Sequence, residues 1–521
     1  MKRVASSVLA MFVALSLVAT ACSSSSDNDE LGAGNGSDSS VDKQESTSTT
    51  HDVSKPPRPS TTSVPSEDAI EWRSGVGPWE RGTLEVPLDY TNPEGQQIEL
   101  AMVRRLASEP NQRLGVLLLN PGGPGASGIE FAELSRFILS GELFDRFDVI
   151  GWDPRGVGES TPVTCGDDAF LDRYLAMDPV PETESDRAEA VALIEEFANN
   201  CVEESGYLLP FLGTQSSARD MDSIREALGE SEINYLGFSY GTYLGASYLE
   251  MFPDRVRAMV LDGAYSRSLS DLEMTVGQAS GFERSIQSFL AWCMEPRCDL
   301  AELGDPAEQL DGLLASLQQN PLPANGDRIL TAGLAWTGVI MAMYVPAMWP
   351  MLDTALTRAI EHGDGQRLIE LADQYNDRSP TGSYDNSTFA FTAISCADSP
   401  AESPEDEAAV AQAVMEAAPR VGPVFVSLPS PCDFFPMVDS DPPSGPFSVP
   451  DAPLVVVVAT TGDPATPYQW GLRLWQELET SRILSVKGED HTAYGSGNGC
   501  VDNRIDRYLL TLEFPERGMR C

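Results

Sequence analysis

The chain has 521 residues, 42% of them hydrophobic, and 34 Lys and Arg against 79 Asp and Glu give a net charge of −45. That length and apolar content suffice for a large core carrying an insertion. So acidic a surface argues against nucleic acid as a partner, because phosphate backbones are bound by cations, and it names no partner in exchange.

In chain order, Lys2 and Arg3 precede an apolar run at 8–18 that is too short for a stable membrane span, and the small residues of LVATAC follow. This is the pattern of a secretory signal. Ala19, Thr20 and Ala21 before Cys22 resemble a bacterial lipobox, with Ala19 where leucine is commoner. On that reading 1–22 is a signal with lipobox and Cys22 is lipidated to become the mature N-terminus. An ordinary signal peptide cleaved nearby is the alternative. Residues 23–68 are rich in Ser, Thr, Asp, Gly and Pro, bury too little apolar surface to fold, and read as a disordered tether. A lipid anchor on such a tether places the protein at the outer face of the cell membrane.

Short apolar strands then alternate with helical stretches. GTLEVPLDY (82–90) and IELAMVRRLA (98–107) read as opening strands. LGVLLLN (114–120) and FDVIGWD (147–153) are continuous apolar runs of the kind buried in the middle of a sheet. SARDMDSIREALG (217–229) reads as a helix, INYLG (233–237) as a strand, and VRAMVLDG (256–263) as the next strand. From about 266 to 450 the period is mostly helical. The strand pattern returns in APLVVVVATTGD (452–463) and SRILSVKGEDH (481–491). Strands alternating with helices predict an α/β fold, a mostly parallel sheet with helices on both faces. The expected division is a first core part at 69–265, a helical cap or lid at 266–450, and a second core part at 451–521.

Apart from Cys22, eight of the nine cysteines remain, an even number that suggests disulfides in an exported protein. Eight cysteines allow about 105 connectivities and sequence alone does not choose among them; pairing of sequence neighbours is the expectation, Cys165–Cys201, Cys293–Cys298, Cys396–Cys432 and Cys500–Cys521. No metal site is expected, since no cysteine pair has tight ligand spacing with a histidine nearby.

GFSYG (237–241) lies between a strand and a helix in the pattern Gly-x-Ser-x-Gly, which sets Ser239 on a sharp turn with its hydroxyl exposed. A serine hydroxyl needs a base. Of the three histidines, His51 falls in the tether and His362 at a polar helix end in the cap, which leaves His491 in a loop after a late strand. The acid that fixes the imidazole tautomer is expected to be Asp463, at the carboxyl end of a buried strand where open α/β sheets place their chemistry, with Asp262 as the competitor. The oxyanion donors are the N–H of Tyr240 and one from the loop NPGGPGASG (120–128), Gly123 being the choice and Gly122 the alternative. Asp153 and Arg155 in DPRGVGES read as an ion pair bracing the active-site loops or as a substrate contact. Thr466 either orients Asp463 through its hydroxyl or caps the turn. This chemistry calls for no cofactor.

LLLNPGGPGASG, FDVIGWDPRGVGESTPVTC, INYLGFSYGTYLGASYLEMFPDRV, TTGDPATPYQWG and DHTAYGSGNGC with the final Cys521 together resemble secreted bacterial serine aminopeptidases of the α/β-hydrolase fold. These are the tripeptidyl-aminopeptidase relatives of prolyl aminopeptidases, which include mycobacterial-type envelope proteases also described as carboxylesterases. The resemblance runs from about residue 71 to 521. It lacks one feature, a cysteine pair that relatives often carry before VPLDY. It implies a serine exopeptidase that cleaves near the N-terminus of peptides or proteins through an acyl-enzyme. It also implies that Asp398, in ISCADSP, contacts the substrate ammonium. A carboxylesterase or lipase acting on envelope lipids or short-chain esters would use the same triad. A non-catalytic binding lipoprotein is the third reading, and the complete triad speaks against it. A monomer is expected.

Overall fold

The computed structural model describes residues 69–294, 298–398, 404–435, 445–450 and 452–521. The segments 1–22 and 23–68, with Cys22 and His51, lie outside the described residues. In chain order the strands are β1 (Arg73–Ser74), β2 (Glu80–Pro87), β3 (Gln97–Arg105), β4 (Val116–Asn120), β5 (Asp148–Trp152), β6 (Ile233–Phe238) and β7 (Val256–Asp262). Then come β8 (Leu322–Pro323), β9 (Ile329–Leu330), β10 (Val455–Thr460) and β11 (Ser481–Val486). Nine of them form one sheet in the order β1-β2-β3-β5-β4-β6-β7-β10-β11. β1, β2, β3 and β5 pair antiparallel, and every pairing from β5 across to β11 is parallel.

The valine run of β10 shows why. All six of its residues are buried, and their alternation sorts them between two cores. Val455 and Val457 join Tyr235, Met259 and Leu261 against the helices Thr214–Ala227 and Tyr240–Met251. Val456 and Val458 join Leu236 and Val260 against the helices Gly128–Leu134 and Gly499–Thr511. A strand covered on both faces needs apolar residues at every position, and β-branched ones suit the pleat. Each such side chain contributes about 1.5–3 kcal/mol on burial.

Chain order and sheet order diverge at the centre. From β4 the chain moves outward to β5 and later returns to β6 on the other side of β4. The carboxyl ends of β4 and β6 therefore adjoin, with Asn120 opposite Gly237. This reversal opens the crevice in which such sheets place their sites.

Between β7 and β10 the chain builds a second, mostly helical core. It centres on the helices Asp271–Cys293, Pro306–Gln319, Ala332–Met343, Trp349–His362 and Gln366–Tyr375. The first of these opens with a capping box, Ser270 with Glu273, which satisfies two first-turn donors. The short antiparallel hairpin β8–β9 interrupts this region, where the sequence reads as helical. A further helix, Ser387–Asp398, sends Phe389, Ala390, Ala393 and Ile394 into the core of the sheet instead. Disulfides join Cys165 to Cys201, Cys293 to Cys298, Cys396 to Cys432 and Cys500 to Cys521. The last ties the final residue to the helix Gly499–Thr511.

The expected ion pair between Asp153 and Arg155 is not formed. The loop after β5 turns, with Val157 N–H donating to Pro154 O, and points the two side chains to different neighbours. Asp153 accepts from Ser127 Oγ at 2.6 Å, Ile129 N at 3.1 Å and Glu159 N at 2.9 Å. Arg155 is fully buried and makes a two-pronged contact with Asp220, at 2.7 and 2.6 Å. Its remaining N–H groups reach the carbonyls of Leu88, Phe211 and Pro87. Removing one partner leaves the other charge buried and uncompensated. Asp220→Ala is therefore expected to lower stability by about 3–5 kcal/mol, measured by urea unfolding.

Candidate active site

β6 ends at Phe238 and a helix begins at Tyr240, so Ser239 carries the whole change of direction, at φ 52° and ψ −123°. A non-glycine residue in that region costs about 1–3 kcal/mol and persists only where its surroundings fix it. They do: Ser239 N–H donates to Asp262 O at 2.8 Å, and its carbonyl accepts from Thr242 Oγ1 at 2.6 Å. The bracketing glycines follow from crowding. A Cβ on Gly237 would lie 2.5 Å from Gly241 O, and one on Gly241 would lie 2.6 Å from Asn120 Oδ1.

The glycine loop after β4 lies against this elbow. A Cβ on Gly122 would sit 3.0 Å from Ser239 Cβ and 3.1 Å from Tyr240 N. Gly122 N–H is donated to Asn120 Oδ1 at 3.0 Å, whereas among the described residues no hydrogen bond engages that of Gly123. Tyr240 opens its helix, so its N–H belongs to the first-turn donors without an intrahelical partner.

The acid and the histidine meet. Asp463 is fully buried, and His491 Nδ1 lies 2.9 Å from its Oδ1 and 3.1 Å from Oδ2. A carboxylate accepts only, so Nδ1 carries the proton and Nε2 keeps its lone pair. Asp463 is itself oriented by Ala465 N at 2.9 Å, Thr466 N at 2.8 Å and Thr466 Oγ1 at 3.0 Å. Thr466 thus caps the turn and orients the carboxylate at once. Burial pulls the His491 pKa down, but the charge and hydrogen bond of Asp463, with a smaller push from Asp262, raise it above the usual value.

Asp262, the competing acid, does not reach the imidazole through a hydrogen bond. Its Oδ2 accepts from the main-chain N–H groups of Ala493 and Tyr494, at 2.9 and 2.7 Å. The helical insertion also reaches this cluster, a contact with no signal in the sequence. His491 N–H donates to Tyr344 O at 2.8 Å, and the two rings meet edge to face at 5.3 Å. Arg284 donates to Asp463 O at 3.1 Å and Gln278 to Ala465 O at 3.0 Å. His362 is 61% exposed at the end of its helix.

Asp398 lies at the end of the helix Ser387–Asp398, beside the elbow. Its oxygens accept from Thr214 N at 2.7 Å and Thr214 Oγ1 at 2.6 Å, and the same hydroxyl bonds the Tyr240 phenol. Burial pushes its carboxyl up to about 6 against the pull of the Thr214 bonds.

Residues 115–327 match the family described as alpha/beta hydrolase fold, and 418–521 match the family described as TAP-like protein. The chain is 36% identical over 461 residues to serine protease Hip1 of Mycobacterium tuberculosis, covering 84% of this chain and 86% of that protein. It is 39% identical over 453 residues to carboxylesterase B of the same species, covering 84% and 85%. It is 31% identical over 475 residues to tripeptidyl aminopeptidase of Streptomyces lividans, covering 87% and 86%. With its mostly parallel sheet, its serine elbow and relatives aligned along most of their length, the chain belongs to the α/β-hydrolase family of serine hydrolases that holds these proteins.

Proposed function

We propose that the protein is a cell-envelope serine exopeptidase that cleaves near the N-terminus of peptides or proteins. Ser239 Oγ attacks the scissile carbonyl while His491 Nε2 takes its proton. Asp463 holds the imidazole in the required tautomer and stabilises the imidazolium. The N–H groups of Gly123 and Tyr240 receive the oxyanion. His491 then protonates the leaving amine, and water, activated by the same base, releases the acyl group. The observation that carries this reading is the His491–Asp463 hydrogen bond at 2.9 Å, which leaves Nε2 free to act as a base.

Asp398 supplies the preference for a free N-terminus, a half-buried carboxylate beside the elbow for the substrate ammonium. A charge-assisted hydrogen bond contributes about 1.5–3 kcal/mol. Asp398→Asn is therefore expected to raise KM for free-amine peptide amides by at least about tenfold. N-blocked peptides and p-nitrophenyl esters should be unaffected. Binding needs the ionised form, so in the wild type KM for free-amine substrates should climb as pH falls through about 6. Equal effects on blocked and free peptides would remove Asp398 from ammonium binding. The identity to carboxylesterase B favours the second reading, an esterase. A panel of free-amine peptides, blocked peptides and esters of increasing chain length separates the two. Lipidation at Cys22, attachment to the outer face of the membrane and a monomeric state complete the proposal. Palmitate incorporation lost in Cys22→Ala tests the anchor.

A further inference from the structure

Two main-chain strains flank the reacting groups. Ser239 has φ 52° and Thr492, directly after His491, has φ 70°. A β-branched residue such as Thr492 is rarely found there and must be held by its surroundings. One residue touches both strained segments. The carbonyl of Asp262 accepts from Ser239 N–H at 2.8 Å. Its side-chain Oδ2 accepts from the two amides that follow Thr492, those of Ala493 and Tyr494. The next residue, Gly263, turns the chain at φ 69° directly under the imidazole, where a Cβ would lie 3.3 Å from His491 Cε1.

We propose that Asp262 is a positioning residue for the reaction of Ser239: its carbonyl fixes the main chain of the nucleophile and its carboxylate fixes the loop of His491. The inference rests on Ser239 and His491 acting as nucleophile and base. Both arrive from distant parts of the chain, and Asp262 sets one relative to the other. A neutral acceptor could satisfy two amides, yet the residue is a fully buried carboxylate whose Oδ1 has no hydrogen-bond partner among the described residues. Leaving that oxygen unpaired is unfavourable. A carboxylate differs from a neutral acceptor in the charge it can carry. The charged groups that face it are Asp463 and His491. Burial and Asp463 push the Asp262 carboxyl up to about 7, while the two amides and His491 pull it down. When ionised it adds negative charge beneath the ring and favours the imidazolium that forms during attack.

The test compares Asp262→Asn and Asp262→Ala with the wild type. The readouts are the rate of fluorophosphonate labelling at Ser239 across pH, kcat and KM on a free-amine peptide amide, and thermal unfolding. Asp262→Ala keeps the carbonyl that holds Ser239 N–H but removes the carboxylate that holds the His491 loop, and should slow labelling and kcat about 100-fold, the loss expected for a misplacement of about 1 Å. KM should change less than about threefold, because binding of the ground state is untouched. Asp262→Asn keeps one oxygen for the two amides but removes the charge. It should lose less than the alanine variant, and the acid limb of its labelling profile should move to lower pH, since His491 loses a neighbour that raises its pKa. A merely structural residue would not move that limb. Wild-type labelling rates in folded Asp262→Ala overturn the proposal, as does an unmoved acid limb in Asp262→Asn. If the alanine variant does not fold, the asparagine profile decides alone. Wild-type Ser239 that takes no label overturns the nucleophile assignment, and this inference with it.

Discussion

Ser239→Ala is expected to lower kcat by about six orders of magnitude, the loss seen when one member of a cooperating triad is removed. The folded state should hardly notice. Ser239 is half-buried, and among the described residues its hydroxyl makes no hydrogen bond, so alanine leaves no unpaired partner and no large cavity. The strained φ is common to both residues. Unfolding free energy should change by no more than about 0.5 kcal/mol. Paired measurement of kcat and urea unfolding checks both halves. Substantial turnover by the folded variant would mean that the nucleophile lies elsewhere.

Asp463→Asn should cost about four orders of magnitude in kcat, by a different route. An amide in place of the carboxylate turns an N–H towards Nδ1, so the ring proton moves to Nε2 and the lone pair that accepts the serine proton is lost. The asparagine oxygen can still accept from Ala465 N and Thr466 N, so the turn should persist. Loss of the charge should also lower the His491 pKa, shifting the acid limb of kcat/KM to lower pH. If Asp262→Asn causes this loss and Asp463→Asn does not, the two carboxylates have exchanged parts.

Much of this was legible because it is local. The valines of β10 mark a buried strand, so a carboxylate three residues beyond Thr460 falls at the carboxyl edge of the sheet. With three histidines in the chain, elimination reaches His491. The glycines of the elbow and of the loop after β4 mark close approach and left-handed backbone, which no other residue supplies cheaply. What stayed hidden depends on segments far apart in sequence. Nothing in DPRGVGES says that Arg155 meets Asp220 instead of Asp153, because the turn after β5 decides which way each side chain faces. The hairpin β8–β9 has two residues per strand, too few to show a period. The contact of Tyr344 with His491 uses a main-chain carbonyl, which every residue has and no sequence pattern advertises.

That last contact bears on how this protein can be re-engineered. Insertions in this position invite treatment as exchangeable modules, grafted between relatives to change substrate range. Here the graft would cut into the contacts that hold Asp463 and His491 in place. Tyr344 O receives the N–H of His491, Arg284 and Gln278 donate to the carbonyls of Asp463 and Ala465, and Gly281 leaves no room for even a methyl beside Pro464 O, 2.2 Å from where its Cβ would be. A chimera should keep the helices Asp271–Cys293 and Ala332–Met343 with the native sheet and exchange only what lies outside them.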